Sequence, residues 1–289
     1  MAYLHPGNPQ APSALNSWVF YSGGMKTISD GALRDARGIL HDAQRVAVLT
    51  GAGMSAESGV PTFRDAETGL WEKYSPEQLA TREAMANRPD LVWSWILHQA
   101  RVMRSVEPHE GHQVLGDWQQ QLDADGGRLD IVTQNIDDLH ERAGAEVLAH
   151  LHGTTFTFRC FECDAPSDYE LEDPTEEQLQ ARPDLDQLVL ENPPECTSCS
   201  HGFIRPNIVM FGEFLPQQAM DDALDAVRSA DVALVVGTSN IVQPAASLPV
   251  AASAAGAKVI EVNPNMTPLS DDADVYLQGT ARDVLPELY

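Results

Sequence analysis

At 289 residues the chain has room for one large domain, or for one domain and a smaller companion, at roughly 100–200 residues per domain. Forty-three per cent hydrophobic and 7 % aromatic residues exclude wholesale disorder. Eighteen basic against 43 acidic residues give a net charge of −25, a field that repels phosphate backbones, so nucleic-acid binding is not expected. Only three residues are lysines: Lys26, Lys73 and Lys258.

No apolar run reaches the ~18–20 residues of a membrane helix, so no membrane association is expected. The opening segment has neither a basic n-region nor a long apolar core, and does not read as a signal peptide. The expectation is a soluble, cytoplasmic protein.

Residues 1–29 are rich in Pro, Gly, Ser and Asn and read as a flexible extension, within which Met25 is an alternative start. A helix is expected from Ser29 as N-cap to about Gln44, with Leu33, Ile39 and Leu40 on one face. Residues 45–50 (Arg-Val-Ala-Val-Leu-Thr) form a short apolar run of the kind found in a doubly covered parallel strand. Similar runs recur at 129–133, 232–236 and 258–262. Helical patterns lie at 117–122, 217–229 and 245–255. This alternation predicts an α/β fold, a doubly wound parallel sheet of Rossmann-like type. Two segments interrupt it: 65–112, which reads as helical and carries Trp71, Tyr74, Trp93 and Trp95, and 159–202, which holds all four cysteines. The expected division is a Rossmann-like domain of 30–158 and 203–289, with a helical insertion at about 65–112, and a small module at 159–202.

The cysteines fall as Cys160-x2-Cys163, 32 intervening residues, then Cys196-x2-Cys199. Two such hairpins can present four thiolates to one Zn²⁺ at about 2.3 Å. Two disulfides or four unrelated thiols are the alternatives. With no secretion signal and no cysteine left over, one structural zinc is the reading taken; four thiolates leave no open position for a reactive water. The acidic stretch between the pairs, with Arg182 as its one basic residue, argues against a nucleic-acid finger.

Thr50-Gly51-Ala52-Gly53-Met54-Ser55-Ala56 fits G-x-G-x-x-(G/A) directly after a strand, where glycines permit close backbone approach and N–H groups can hold a pyrophosphate. Alone it is a weak signal. The acidic residue that a dehydrogenase carries some 20 residues later has no convincing counterpart. The longer segment, Gly51 through Gly59 to Pro61-Thr62-Phe63-Arg64, resembles the signature of the sirtuins, the NAD-dependent protein-lysine deacylases. Further segments match that family in order: Thr133-Gln134-Asn135-Ile136-Asp137-Asp138-Leu139-His140, Leu151-His152-Gly153, the run from Arg205 to Glu213, Gly237-Thr238-Ser239 through Pro244, and Glu261-Val262-Asn263-Pro264. The cysteine pairs lie where the family carries its zinc module. On these motifs the chain is identified as a member of the sirtuins over roughly residues 40–288.

The resemblance implies a chemistry. The acyl-lysine carbonyl attacks the nicotinamide ribose of NAD, nicotinamide leaves, and a ribose hydroxyl takes the acyl group, giving free lysine and O-acyl-ADP-ribose. His152 aligns with the general base, a role that an imidazole suits near neutral pH; His41, His98, His109 and His201 read as ordinary core or surface histidines. Asn135 and Asp137 match nicotinamide-pocket positions and count with His152 as catalytic. Gly51, Ala52, Gly53, Ser55, Gln134, Gly237, Thr238, Ser239, Asn263 and Ala281 are the remaining expected cofactor contacts, with Phe63 shielding the reactive face and Arg64 orienting the diphosphate. Val209 and Phe211 are expected against the acyl-lysine, although core packing explains them as well.

The stretch around Ala66 is similar to the branch that includes desuccinylases, Ala66 leaving the acyl channel roomy. That branch grips acidic acyl groups with a Tyr-x-x-Arg pair; here Ile96 and Gln99 stand in those places, and Arg101 is rotated about 200° from Gln99 on a helix. Acetyl or longer neutral acyl groups are therefore the expected substrates. Asn240, where the family usually has Gly or Leu, is a further departure. The competing functions are a protein ADP-ribosyltransferase on the same NAD site and a non-catalytic NAD-binding module.

Overall fold

The computed structural model describes residues 29–60, 79–172, 174–175 and 189–289. Phe63, Arg64 and Ala66, the aromatics Trp71 and Tyr74, and the expected N-terminal extension up to residue 28 lie outside them.

Six parallel strands form one sheet in the order β3-β2-β1-β7-β8-β9. Its members are β1 (Arg45–Thr50), β2 (Arg128–Thr133), β3 (Val147–His150), β7 (Val232–Val236), β8 (Lys258–Asn263) and β9 (Val275–Gln278). The central strands are apolar on both faces because helices cover both. Val46 and Val48 of β1, with Val232, Leu234 and Val236 of β7, pack against α1 (Asp30–His41), α5 (Glu110–Ala124) and α9 (Ala281–Leu288). Their sequence neighbours Ala47, Leu49, Ala233 and Val235 point the other way, onto α7 (Gln217–Ser229) and α8 (Leu248–Ala255). The strand runs read from sequence are thus the sheet's centre; its edges β3 and β9 were too short and mixed to register.

The expected first helix is three residues too long at its C-terminus. It stops at His41, and the backbone N–H groups of Gln44 and Arg45 turn to donate to the Asp231 carboxylate. The helical insertion is divided. The chain breaks at Arg88 (φ −138°, ψ 63°) before Pro89, separating α3 (Arg82–Asn87) from α4 (Pro89–Ser105), as a proline restricts its predecessor. Residues 117–122 are only the middle of α5. Residues 245–247 are a 3-10 turn ahead of α8.

A second, antiparallel sheet has the order β5-β4-β6, from β4 (Gly153–Cys160), β5 (Pro166–Ser167) and β6 (Ile204–Ile208). It shares one core with the helical insertion: Met85, Trp93, Ile96 and Leu97 pack with Phe158, Phe161, Ile204 and Met210. Two glycines are required here. Gly153 has φ +72°, and a Cβ on it would collide with the Asn207 carbonyl. A Cβ on Gly202 would lie 2.5 Å from Cys160 Sγ.

Arg205 is fully buried on β6, its guanidinium donating twice to Glu213 (2.6 and 2.9 Å) and once to the Ile208 carbonyl (2.8 Å). Glu213 also accepts from the Met210 N–H at 2.9 Å. Burial pushes the Glu213 carboxyl up, but Arg205 together with the Met210 N–H and the Arg159 charge more than offsets it, and the group stays below the usual carboxylate range. The pair ties residues 209–213 into a fixed course. Glu213→Ala, which leaves the guanidinium buried and unpaired, is expected to cost about 3–5 kcal/mol in urea denaturation, whereas the double replacement Arg205→Met/Glu213→Leu costs clearly less.

Candidate active site and metal centre

In the sheet order, strands β2 and β3 lie on one side of β1 and strands β7 to β9 on the other, so the chain reverses its direction of winding between β1 and β7. Loops leaving the carboxyl ends of such a pair diverge and open a crevice. The glycine turn after β1 and the loop after β7 meet there: the Gly53 N–H donates to the Gly237 carbonyl at 2.8 Å. Cβ atoms on Gly51, Gly53 or Gly237 would fall within 2.5–2.9 Å of the facing backbone, and Gly237 has φ +62°. Ala52 is exposed and Ser55 buried in the turn.

From the end of β2 come Gln134, Asn135 and Asp137. Gln134 Nε2 donates to Thr238 Oγ1 (3.1 Å). Asn135, buried, donates from Nδ2 to Ser55 Oγ (3.0 Å). Asp137, buried, accepts the Leu139 N–H at 3.2 Å. Burial raises the Asp137 pKa against the hydrogen bonds from Ser55 and Leu139. From the end of β3, His152 sets its Nδ1 2.8 Å from the Gln134 carbonyl. A carbonyl only accepts, so Nδ1 carries the proton and Nε2 keeps its lone pair. Burial lowers the His152 pKa, opposed by that bond, which favours the unprotonated base at neutral pH.

The His152 carbonyl accepts the Val209 N–H (2.8 Å), and the Phe211 N–H donates to the Ala80 carbonyl (2.7 Å). Val209 is half-buried and Phe211 is 46 % exposed, so neither is a fully buried core residue. Ser239 is half-buried, and Asn263 Nδ2 donates to the Thr238 carbonyl (2.8 Å). Ala281 is buried at the head of α9, where its carbonyl leaves no room for a side chain on Gly111. Ile96 is buried in α4 and Gln99 half-buried on the same helix.

His109, expected as an ordinary core or surface histidine, is buried beneath this crevice, grouped with the buried imidazoles of His112 and His140. His109 donates from Nε2 to the Met54 carbonyl (2.7 Å) and accepts the Gly111 N–H on Nδ1. The His112 ring lies 4.3 Å from that of His109 and 5.1 Å from that of His140. His140 Nε2 is 3.1 Å from Thr50 Oγ1, which bonds Thr133 Oγ1 (2.8 Å), which in turn accepts the Asn135 N–H (3.0 Å). A spacing of 28 residues between His112 and His140 carries no periodicity, so only the fold brings them together.

The four cysteines form the one cluster of metal-ligating side chains among the described residues, with Sγ atoms within 4.8 Å of one another. Cys160–Cys199 and Cys163–Cys196 are 3.6 and 3.9 Å apart, against about 3.8 Å for the edge of a tetrahedron with bonds of about 2.3 Å. All four are free thiols, so the disulfide alternative is not taken up. The set fits one Zn²⁺.

The comparisons with known proteins bear on this arrangement. The model of the Sir2 family matches residues 51–244. The chain belongs to the Sir2 family. A relative in Mycolicibacterium smegmatis, an NAD-dependent protein deacylase Sir2, is 48 % identical over 244 residues, covering 84 % of this chain and 95 % of its own. A solved Sir2 homolog–NAD complex superposes with a TM-score of 0.75 at 38 % identity, over 88 % of this chain and 91 % of its own. A Sir2–p53 peptide–NAD⁺ complex does so with a TM-score of 0.72 at 29 % identity, over 89 % of this chain and 96 % of its own. In this Sir2 chain no helix of the described residues is long and apolar enough to cross a membrane.

Two expectations follow. Metal analysis should find one zinc per chain, and its removal by a chelator should lower the unfolding temperature, because four thiolates left together repel one another and lose their cross-link. Burial also depresses His112 to about 2 and His140 to about 4 from an ordinary 6.5. Stability from these neutral imidazoles is complete above about pH 6.5 and is lost as pH falls below it, because the unfolded chain takes up protons first. His150, raised beside Glu141, works in the opposite sense. Unfolding temperatures between about pH 6.5 and 5, above most carboxylate titrations, should therefore fall, and His112→Leu should flatten the slope.

Proposed function

We propose that this chain is an NAD-dependent protein-lysine deacylase that removes acetyl or longer neutral acyl groups, giving nicotinamide, free lysine and O-acyl-ADP-ribose. The observation that carries the reading is the free Nε2 of His152, set by the Nδ1–H bond to Gln134, between the Asn135–Asp137 turn and the Val209–Phe211 segment. The bare glycine contacts at Gly51, Gly53 and Gly237 fit a dinucleotide, which needs backbone that close. NAD when bound supplies the ribose carbon that parts from nicotinamide and the hydroxyls that receive the acyl group.

The chain's own side chains do the rest. Asp137 accepts from the carboxamide of the nicotinamide group, and Asn135, held by Ser55, fixes the turn that presents it. His152 Nε2 takes a ribose hydroxyl proton, a contribution of about 10²–10⁴-fold in rate. Gln134 and Ser239 bind the ribose and phosphates; Phe63 and Arg64, both outside the described residues, respectively shield the reactive face and orient the diphosphate or nearby carboxylates. Residues 209–213, fixed by Arg205 and Glu213, receive the acyl-lysine segment as an added strand. The zinc in Cys160, Cys163, Cys196 and Cys199 is structural and bonds no reactant.

Three finer points belong to this proposal. Ile96 and Gln99 offer no cation to an acidic acyl group, a loss of about 1.5–3 kcal/mol against an arginine, so succinyl-lysine is a poor substrate. The net charge of −25 favours lysine-rich partners and disfavours nucleic acid. Four cysteines gathered as a metal set, with none in a disulfide, suit a reducing compartment such as the cytoplasm. The domain division follows the chemistry: a Rossmann-like unit for NAD, with a helical and zinc-binding unit across the crevice.

The test is mass spectrometry of the purified protein with NAD and acetyl-, butyryl-, longer acyl- and succinyl-lysine peptides. Free lysine, nicotinamide and O-acyl-ADP-ribose should appear together, with succinyl lowest by about tenfold or more in kcat/KM, and His152→Ala should lose about 10²-fold or more. Comparable rates on acetyl- and succinyl-lysine would remove the acyl assignment. ADP-ribose gained by protein with no acyl group released would replace deacylation by ADP-ribosyl transfer.

A further inference from the structure

The loop at 237–240 leaves β7 beside the crevice, and its last residue is unusual. Asn240 is left-handed, φ +54°, where residues with a Cβ are rarely found. Its side chain is engaged twice: Nδ2 donates to Glu261 Oε1 at 2.9 Å and lies 3.0 Å from Thr267 Oγ1. The carboxylate fixes which end of the amide points inward, since only the NH₂ end can donate. Glu261 is fully buried on β8, and its other partners are the hydroxyls of Thr267 and Ser270, each at 2.5 Å. A buried carboxylate met by neutral donors makes each of those bonds costly to lose.

Asn240 reaches the crevice through Thr238. The Asn240 N–H lies 3.3 Å from Thr238 Oγ1, which also accepts Gln134 Nε2, while Asn263 Nδ2 holds the Thr238 carbonyl. Thr238 in turn packs on Gly51, where a Cβ would be 2.9 Å from its α-carbon. Glu261 and Asn263 lie two residues apart on β8, so both anchors issue from the same face of one strand. The loop's course is thus set from behind by Glu261 and in turn shapes the glycine turn in front.

We propose that Asn240 is a positioning residue for the cofactor, locked by Glu261 so that the 237–240 loop is held ready for the ADP-ribose half of NAD. This rests on the NAD reading above. The lock orders the loop before the ligand arrives, so the affinity does not have to include that ordering cost. The nicotinamide end, formed by Asn135, Asp137 and His152, does not depend on it.

The experiment pairs calorimetry of ADP-ribose binding with steady-state kinetics on an acetyl-lysine peptide. Asn240→Gly keeps the left-handed backbone and removes only the side chain; it should weaken ADP-ribose binding and raise KM for NAD by about three- to tenfold, with kcat at saturating NAD within about twofold. Asn240→Asp sets two carboxylates together and should weaken ADP-ribose binding by about tenfold or more. In Asn240→Asp/Glu261→Gln the donor and acceptor exchange sides, and binding should return to within about threefold of the unsubstituted chain. Unchanged ADP-ribose affinity in Asn240→Gly, a fall in kcat with KM intact, or no recovery in the double variant would each overturn the proposal. An unsubstituted chain that binds neither NAD nor ADP-ribose would instead remove the functional reading, and this proposal with it.

Discussion

Everything in this molecule is arranged around one close approach, the backbone of Gly53 against that of Gly237 at the carboxyl ends of β1 and β7. A parallel sheet ends in a row of loops, and where the order of winding reverses, two of those loops part and leave a gap. A side chain on either glycine would force them wider. With none, the gap stays narrow enough for backbone N–H groups to reach a diphosphate, and the ends of β2 and β8 can bring Gln134 and Asn263 to the same loop.

Desolvation dominates the chemistry of the site. It lowers the pKa of His152 and raises that of Asp137, which favours the unprotonated imidazole at neutral pH and makes the carboxyl more willing to share a proton. The same burial keeps His109, His112 and His140 neutral beneath the glycine turn. The Thr50–Thr133–Asn135 chain that leads from His140 to the pocket is short and fully buried, which ties the packing of α5 to the placement of Asn135.

The wall opposite the sheet is a composite. Among the described residues the helical insertion and the cysteine module share one core; Trp93 packs on Phe158 and Tyr169, and Arg82 lies over Phe161 at 4.1 Å while donating to its carbonyl. A metal clamp at Cys160–Cys199 therefore stabilises more than its own hairpins. Through β6 it supports Arg205, and through Arg205 the segment that carries Val209 and Phe211 beside His152.

The sequence determined what depends on local pattern. Residues 45–50, 232–236 and 217–229 are the elements their periodicity announced, because a doubly covered strand must be apolar throughout and an amphipathic helix must repeat near 3.6. Paired Cys-x2-Cys hairpins announced the clustered cysteines in the same way, since one shared metal needs fixed local spacings. Tertiary structure alone decided the rest. Pro89 divided a helical stretch that read as continuous, and Asp231, nearly two hundred residues away, ended the first helix by capturing Gln44 and Arg45. His112 and His140, and Asn240 with Glu261, sit too far apart in sequence for any period to link them. They are neighbours because the fold packs the first turn of α5, the segment after β2, β8 and the loop after β7 side by side, and a buried polar group must find its partner wherever the fold delivers it.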